Sequence, residues 1–231
     1  MNDQITVKGR DGSFGAYIAK PSRLPAPAVV VLQEVFGVNA DIRAHCDDLA
    51  GQGFLAVAPD LYWRQEPGIE LDASSDADWQ HAVRLYQEYD RDAGAKDVRD
   101  AAAVVAELPD CTGKVGLLGY CFGGLMVFLT AARYGADAGV AFHGGETEKY
   151  LDEVGGLDAP LLMHLAEEDE FISKAAQAEI KEALARKPNA IVYSYPGQYH
   201  AFSRLNGAHY DAAAAELANT RSFEFLRQQL F

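Results

Sequence analysis

Short apolar runs recur along this chain, separated by stretches in which apolar residues return at helical spacing. Ala28-Val29-Val30-Val31-Leu32 is hydrophobic at every position, with no polar alternation to mark a wet face, so a central parallel strand is expected there. Phe54 to Ala58, Lys114 to Leu118, Ala138 to Phe142, Pro160 to Leu165 and Ala190 to Tyr195 are further strand candidates. Helical spacing fills the intervals: from Asn39 or Asp41 to about Ala50, Asp76 to Tyr89, Ala93 to Leu108, Leu125 to Ala132, Ser173 to Arg186 and Asp211 to Leu230. At the N-terminus, Ile5 to Lys8 and Phe14 to Ala19 flank Arg10-Asp11-Gly12, the pattern of an antiparallel hairpin. Leu61 to Ser75 has no period and is expected to run over the C-terminal edge of the sheet. Strand and helix alternate almost throughout, which predicts an α/β fold with a mostly parallel sheet and helices on both faces. No repeat, linker or low-complexity segment interrupts it, so a single domain over 1–231 is expected.

Charge narrows the partners. A net charge of −14 opposes binding to nucleic acid or to an anionic membrane, because both present phosphate. It leaves room for a small anionic substrate held by local arginines. The three cysteines, Cys46, Cys111 and Cys121, are odd in number and lack metal-site spacing, which points to a reducing compartment. No basic and apolar leader opens the chain and no run is long enough to span a bilayer, so a cytoplasmic protein is expected, as a monomer or small homo-oligomer. His45 and Cys46 fall inside a helical pattern and His164 inside a strand, where structural roles are expected; Cys111, beside Pro109, is expected in a loop.

Chemistry concentrates at Gly119-Tyr120-Cys121-Phe122-Gly123-Gly124. A strand precedes it and a helix follows, the context in which G-x-nucleophile-x-G forms the sharp elbow of α/β-hydrolases. Cys121 takes the place that serine usually holds, and a helix N-terminus beneath it favours a thiolate. In open α/β sheets the site lies at the carboxyl ends of the strands. There the chain places Glu34, Asp60, Cys121, His143, Asp169 and His200 in turn. Nucleophile, acid and histidine in the order Cys121, Asp169, His200 match the α/β-hydrolase triad, although charge alone does not choose among Glu167, Glu168, Asp169 and Glu170. His143 is expected to be structural or, at most, to line the pocket.

Gln33-Glu34-Val35-Phe36-Gly37-Val38-Asn39, Pro59-Asp60-Leu61-Tyr62, the 116–124 stretch and Gly197-Gln198-Tyr199-His200-Ala201-Phe202 together resemble the dienelactone hydrolase family along essentially the whole chain. The resemblance implies a Cys121–His200–Asp169 triad, an oxyanion hole from the backbone N–H groups of Val35 and Phe122, and Glu34 as acceptor of the thiol proton. It also implies that Arg204 pairs with a substrate carboxylate; Phe36, Trp79 and, at most, His143 are expected to line the pocket. The implied reaction is hydrolysis of a lactone or small ester through an acyl-enzyme, with no metal or organic cofactor. Trp79 and Val83 stand where the family carries a second carboxylate-binding arginine and a tyrosine, with Arg64 or Arg84 as the available replacements. A less anionic ester is the alternative substrate, and a ligand-binding or sensing protein without turnover is the alternative function.

Overall fold

The computed structural model describes residues 4–205 and 207–231. Among the described residues, eight strands form one sheet in the order β1-β2-β4-β3-β5-β6-β7-β8, where β1 is Gln4–Lys8, β2 Ser13–Ala19, β3 Ala26–Leu32, β4 Leu55–Pro59, β5 Cys111–Tyr120, β6 Ala138–Phe142, β7 Leu161–Ala166 and β8 Ala190–Tyr195. β1 pairs antiparallel with β2, and β2 antiparallel with β4, which is the expected hairpin joined to the sheet. β3 and β4 are parallel, as are β6 with β7 and β7 with β8. The helices are α1 (Ala40–Gly51), α2 (Asp76–Glu88), α3 (Arg91–Ala106), α4 (Phe122–Tyr134), α5 (Lys174–Leu184) and α6 (Ala212–Leu230). Among the described residues, no helix is long and apolar enough to cross a membrane.

The chain divides into two compact units that part within β5, after Leu117. In the first, β3 and β4 are buried at every residue, and α1 and α3 pack against them. Asn39 starts α1 by accepting the Ile42 N–H, one of the helix-end donors that would otherwise lack a partner. The stretch after β4 is irregular, as its lack of period predicts, but firmly anchored. Arg64 holds the buried Asp97 of α3 through Nε (3.0 Å) and Nη2 (2.7 Å), Trp63 Nε1 donates to the same carboxylate at 2.9 Å, and the guanidinium stacks on the Trp63 ring. Gly37 bridges to Glu70, and Leu71 N–H donates to the Phe36 carbonyl at 2.9 Å, so this excursion props the loop that follows β3.

In the second unit α4 is apolar almost all round and buried from Phe122 to Ala132. A helix enclosed in that way needs no amphipathic stripe. His164, in the middle of β7, sits between the Tyr195 hydroxyl (2.8 Å) and Ser222 Oγ (2.9 Å). Ser222 donates onward to the Ala218 carbonyl and Arg221 donates to the Tyr195 oxygen, which fixes the ring with its proton on Nε2. Burial, with Arg221 nearby, pushes His164 down to about 3, so it is a neutral core residue, as its place in a strand predicts.

Two features differ from the sequence expectation. Cys111 is the first residue of β5 rather than a loop residue, because the strand starts four residues ahead of its apolar part. Residues Thr147–Gly156 form a 3₁₀ segment that the sequence pattern missed. Three residues per turn, with a kink at Tyr150, carry no 3.6-residue stripe.

Candidate active site

Cys121 lies between β5 and α4 with φ 53° and ψ −116°, a backbone conformation that is costly for any residue with a side chain. Its N–H donates to the Phe142 carbonyl at 3.0 Å, and its own carbonyl accepts from Gly124 N–H at 2.9 Å. Glycine is required around it for want of space. A Cβ on Gly119 would stand 2.2 Å from the Gly123 oxygen, and one on Gly124 2.5 Å from the Phe142 oxygen. The apolar strand before and the helix after thus meet at a corner that lifts the half-buried Cys121 side chain above both.

The turn after β7 supplies Asp169 and the turn after β8 supplies His200, both buried. His200 Nδ1 lies 2.8 Å from Asp169 Oδ2 and 3.0 Å from Oδ1. Asp169 Oδ1 also accepts the Phe171 and Ile172 N–H groups at 2.9 and 3.1 Å, which fix the carboxylate in its turn. A carboxylate is an acceptor, so Nδ1 carries a proton. Glu167, Glu168 and Glu170 do not approach the ring in this way: Glu168 pairs with Lys174, and Glu170 accepts the His200 backbone N–H.

Nε2, on the far side of the ring, has no hydrogen bond of good geometry among the described residues. Catalytic bonds of this kind are often loose before substrate arrives. The Cys121 sulfur is nevertheless close enough to act on the ring. Burial pulls the His200 pKa down, but the Cys121 sulfur, as neighbouring charge and acceptor, and the Asp169 carboxylate outweigh it and hold the imidazole up to about 10. His143 follows β6, fully buried, with its ring edge-on to His200 at 4.5 Å between centroids. It packs beside the candidate catalytic ring. Among the described residues the non-glycine positive φ angles are at Cys121, His143, Glu146 and Ala201, so this strain gathers around these residues.

The remaining sequence candidates sit as follows. Glu34 is buried and Val35 nearly so, directly after β3 in the first unit. Phe36 and Trp79 meet there at 5.5 Å between ring centroids, Phe36 fully buried and Trp79 38% exposed. Arg204 is half-buried four residues after His200, and Phe122 opens α4. Arg64 is not placed to replace a carboxylate-binding arginine, because Asp97 and Asp11 engage its guanidinium. Two residues that the sequence did not single out touch the His200 main chain, Glu170 and His209. A lone histidine in a polar segment gives no sequence signal, and Glu170 was hidden in its acidic run. Among the described residues, no group of His, Cys, Asp and Glu is placed to hold a metal ion.

The hairpin-flanked, mostly parallel sheet and the strained strand-to-helix corner at Cys121 define an α/β-hydrolase fold. A family model described as the dienelactone hydrolase family matches residues 14–230. The chain is 41% identical to a candidate carboxymethylenebutenolidase of Azospirillum brasilense over 100% of both chains. It is 38% identical to the carboxymethylenebutenolidase of Pseudomonas putida, covering 98% of this chain and 96% of that one. The crystal structure of a candidate dienelactone hydrolase from Klebsiella pneumoniae superposes with a TM-score of 0.87 at 27% identity, covering 97% of each chain. This chain belongs to the dienelactone hydrolase family, whose members are lactone and ester hydrolases.

Proposed function

We propose that the chain hydrolyses a lactone or small carboxylic ester through an acyl-enzyme on Cys121. The observation that carries this reading is the spatial series Asp169, His200, Cys121, in which the sulfur and the carboxylate together hold the imidazole protonated to about pH 10. The reacting form in this proposal is the Cys121 thiolate, the nucleophilic form of a cysteine. The thiolate attacks the substrate carbonyl carbon, forming a carbon–sulfur bond, and the oxygen becomes an oxyanion facing the backbone N–H groups of Val35 and Phe122. The carbon–oxygen ester bond breaks as His200 Nε2 gives its proton to the leaving oxygen. In a lactone, that oxygen stays tethered to the acyl group. Water then attacks the thioester, His200 takes up its proton, and the carbon–sulfur bond breaks to release the acid.

Acylation itself resets the base. Once sulfur carries an acyl group its charge is gone, and with it the largest influence raising His200; Asp169 still raises the ring, but burial, the largest influence of all, then weighs more heavily toward the neutral form that deacylation needs. Glu34 is proposed to take up the thiol proton as substrate binds and pass it to His200, so that one proton leaves the sulfur and later reaches the leaving oxygen. Its burial after β3 suits a group screened from water. Arg204 is proposed to pair with a substrate carboxylate, and Phe36, Trp79 and His143 to shape the pocket.

A pocket for a less anionic ester is favoured by Trp79, half-exposed on Phe36, and by the engagement of Arg64 with Asp97. One arginine fewer removes a bidentate clamp for carboxylate.

The pH profile tests the His200 assignment. Acylation needs the imidazolium, and a raised pKa keeps that form present until the pH passes about 10. The expected kcat/KM profile therefore has its alkaline fall near pH 10, with no fall between pH 7 and 9. An alkaline limb centred near the ordinary histidine value of about 6.5 would contradict the ion pair. Mass spectrometry of enzyme quenched during turnover should add one acyl group to the Cys121 peptide, and label found elsewhere would remove the mechanism.

A further inference from the structure

The contacts around the His200 peptide point to a second tier of the site. We propose that Glu170 and His209 are positioning residues that grip the His200 main chain from both sides and hold its ring in line with Asp169 and Cys121. The inference rests on the reading of His200 as the proton-transfer residue.

Glu170 Oε2 accepts the His200 N–H at 3.0 Å. His209 Nδ1 lies 3.2 Å from the His200 carbonyl oxygen and 3.4 Å from Glu170 Oε1. Both neighbours of that nitrogen are acceptors, so Nδ1 bears a proton and donates. The polar groups before and after the His200 Cα are thus each bound by a side chain, and the two side chains are themselves paired. Tyr199 lies against the His209 ring, 5.0 Å between centroids.

Why a grip is needed follows from the next residue. Ala201 has φ 59°, a left-handed conformation unfavourable for alanine. A strained peptide relaxes unless its surroundings hold it, and relaxation here would swing His200 away. The ring and the backbone of His200 are referred to one turn, since Asp169 holds Nδ1 and the adjacent Glu170 holds the N–H. Stability is a poor account of the pair. The Glu170 and His209 side chains are each 40% exposed, and side-chain contacts that wet add little to folding. What two weak contacts on one peptide do well is set orientation, on which proton transfer depends steeply.

Kinetics of the full chain on an aryl ester test this, with Glu170→Ala and His209→Ala compared with Glu170→Gln and His209→Asn. The alanine variants are expected to lose about 10- to 100-fold in kcat, with KM and Tm close to wild type. Glutamine keeps an oxygen acceptor and asparagine keeps an N–H donor, so each is expected to recover most of the loss. A readout free of substrate is the downfield proton shared by His200 Nδ1 and Asp169, which should exchange with water faster in the alanine variants than in wild type. Alanine variants within twofold of wild type in kcat, with unchanged exchange, would overturn the proposal. Equal losses in the conservative and alanine variants would overturn it too. A His200→Ala control separates the two levels: full activity there would overturn the catalytic reading and the grip that rests on it.

Discussion

Replacing Asp169 by asparagine is expected to lower kcat by roughly 10⁴-fold while the fold and KM stay close to wild type. The direction follows from the hydrogen bonds in the turn after β7. Oδ1 of Asp169 is fixed by the N–H groups of Phe171 and Ile172, both of which an asparagine carbonyl oxygen still accepts. The amide nitrogen is then presented to His200 Nδ1 in place of the Oδ2 that now stands 2.8 Å away. An N–H₂ group donates, so Nδ1 must become the acceptor and the proton moves to Nε2. Neutral His200 in that tautomer has no lone pair facing the thiol or the attacking water. Removing the carboxylate also removes one of the influences that hold His200 up, so the alkaline fall in kcat/KM should move to lower pH. Steady-state kinetics with a circular-dichroism check on folding decide the matter. A loss smaller than tenfold would pass the role to another carboxylate of the 167–170 run.

The second large effect is structural. Gly37→Ala is expected to destabilise the protein by about 2–5 kcal/mol, combining backbone strain with a collision. Gly37 has φ 81°, and a Cβ there would stand 1.9 Å from the Ile69 carbonyl oxygen and 2.7 Å from its carbon. Backbone on the far side cannot rotate away as a flexible side chain would. Relief requires the loop after β3 or the 67–71 segment to move, breaking the Gly37–Glu70 bridge and the bond from Leu71 to Phe36. Thermal unfolding should shift down by roughly 5–15 °C. Activity should fall with it, because Glu34 and Val35 sit in the same loop. Gly53→Ala is the control: φ is 95° there, but nothing lies within 4 Å of the added carbon. Its loss measures strain alone, and equal losses in the two variants would show that the collision at Gly37 costs nothing.

The placement of the candidate residues in the second unit was legible because the elbow writes itself in local sequence. An apolar strand, two crowded glycines and an apolar helix fix where Cys121 stands, and the ends of β7 and β8 then place Asp169 and His200. The choice among four neighbouring carboxylates was not legible from charge. The structure separates them by where each turn residue points. The partnership of Arg64 with Asp97 joins residues 33 apart in sequence, and no local pattern announces it. The same holds for Glu170 and His209, whose contacts are to a main chain that any residue would supply. The 3₁₀ segment at Thr147–Gly156 escaped because its period is neither that of a helix nor that of a strand.

The central claim is that hydrolysis runs through Cys121. Its most direct test is steady-state turnover of a dienelactone, neutral lactones and short aryl esters by wild type beside Cys121→Ala. Wild-type turnover of at least one member, falling by roughly 10⁴-fold or more in the variant, is the predicted result. Which members are turned over would also show whether Trp79 and Val83 leave room for an anionic lactone. Turnover that persists unchanged in Cys121→Ala would contradict the account.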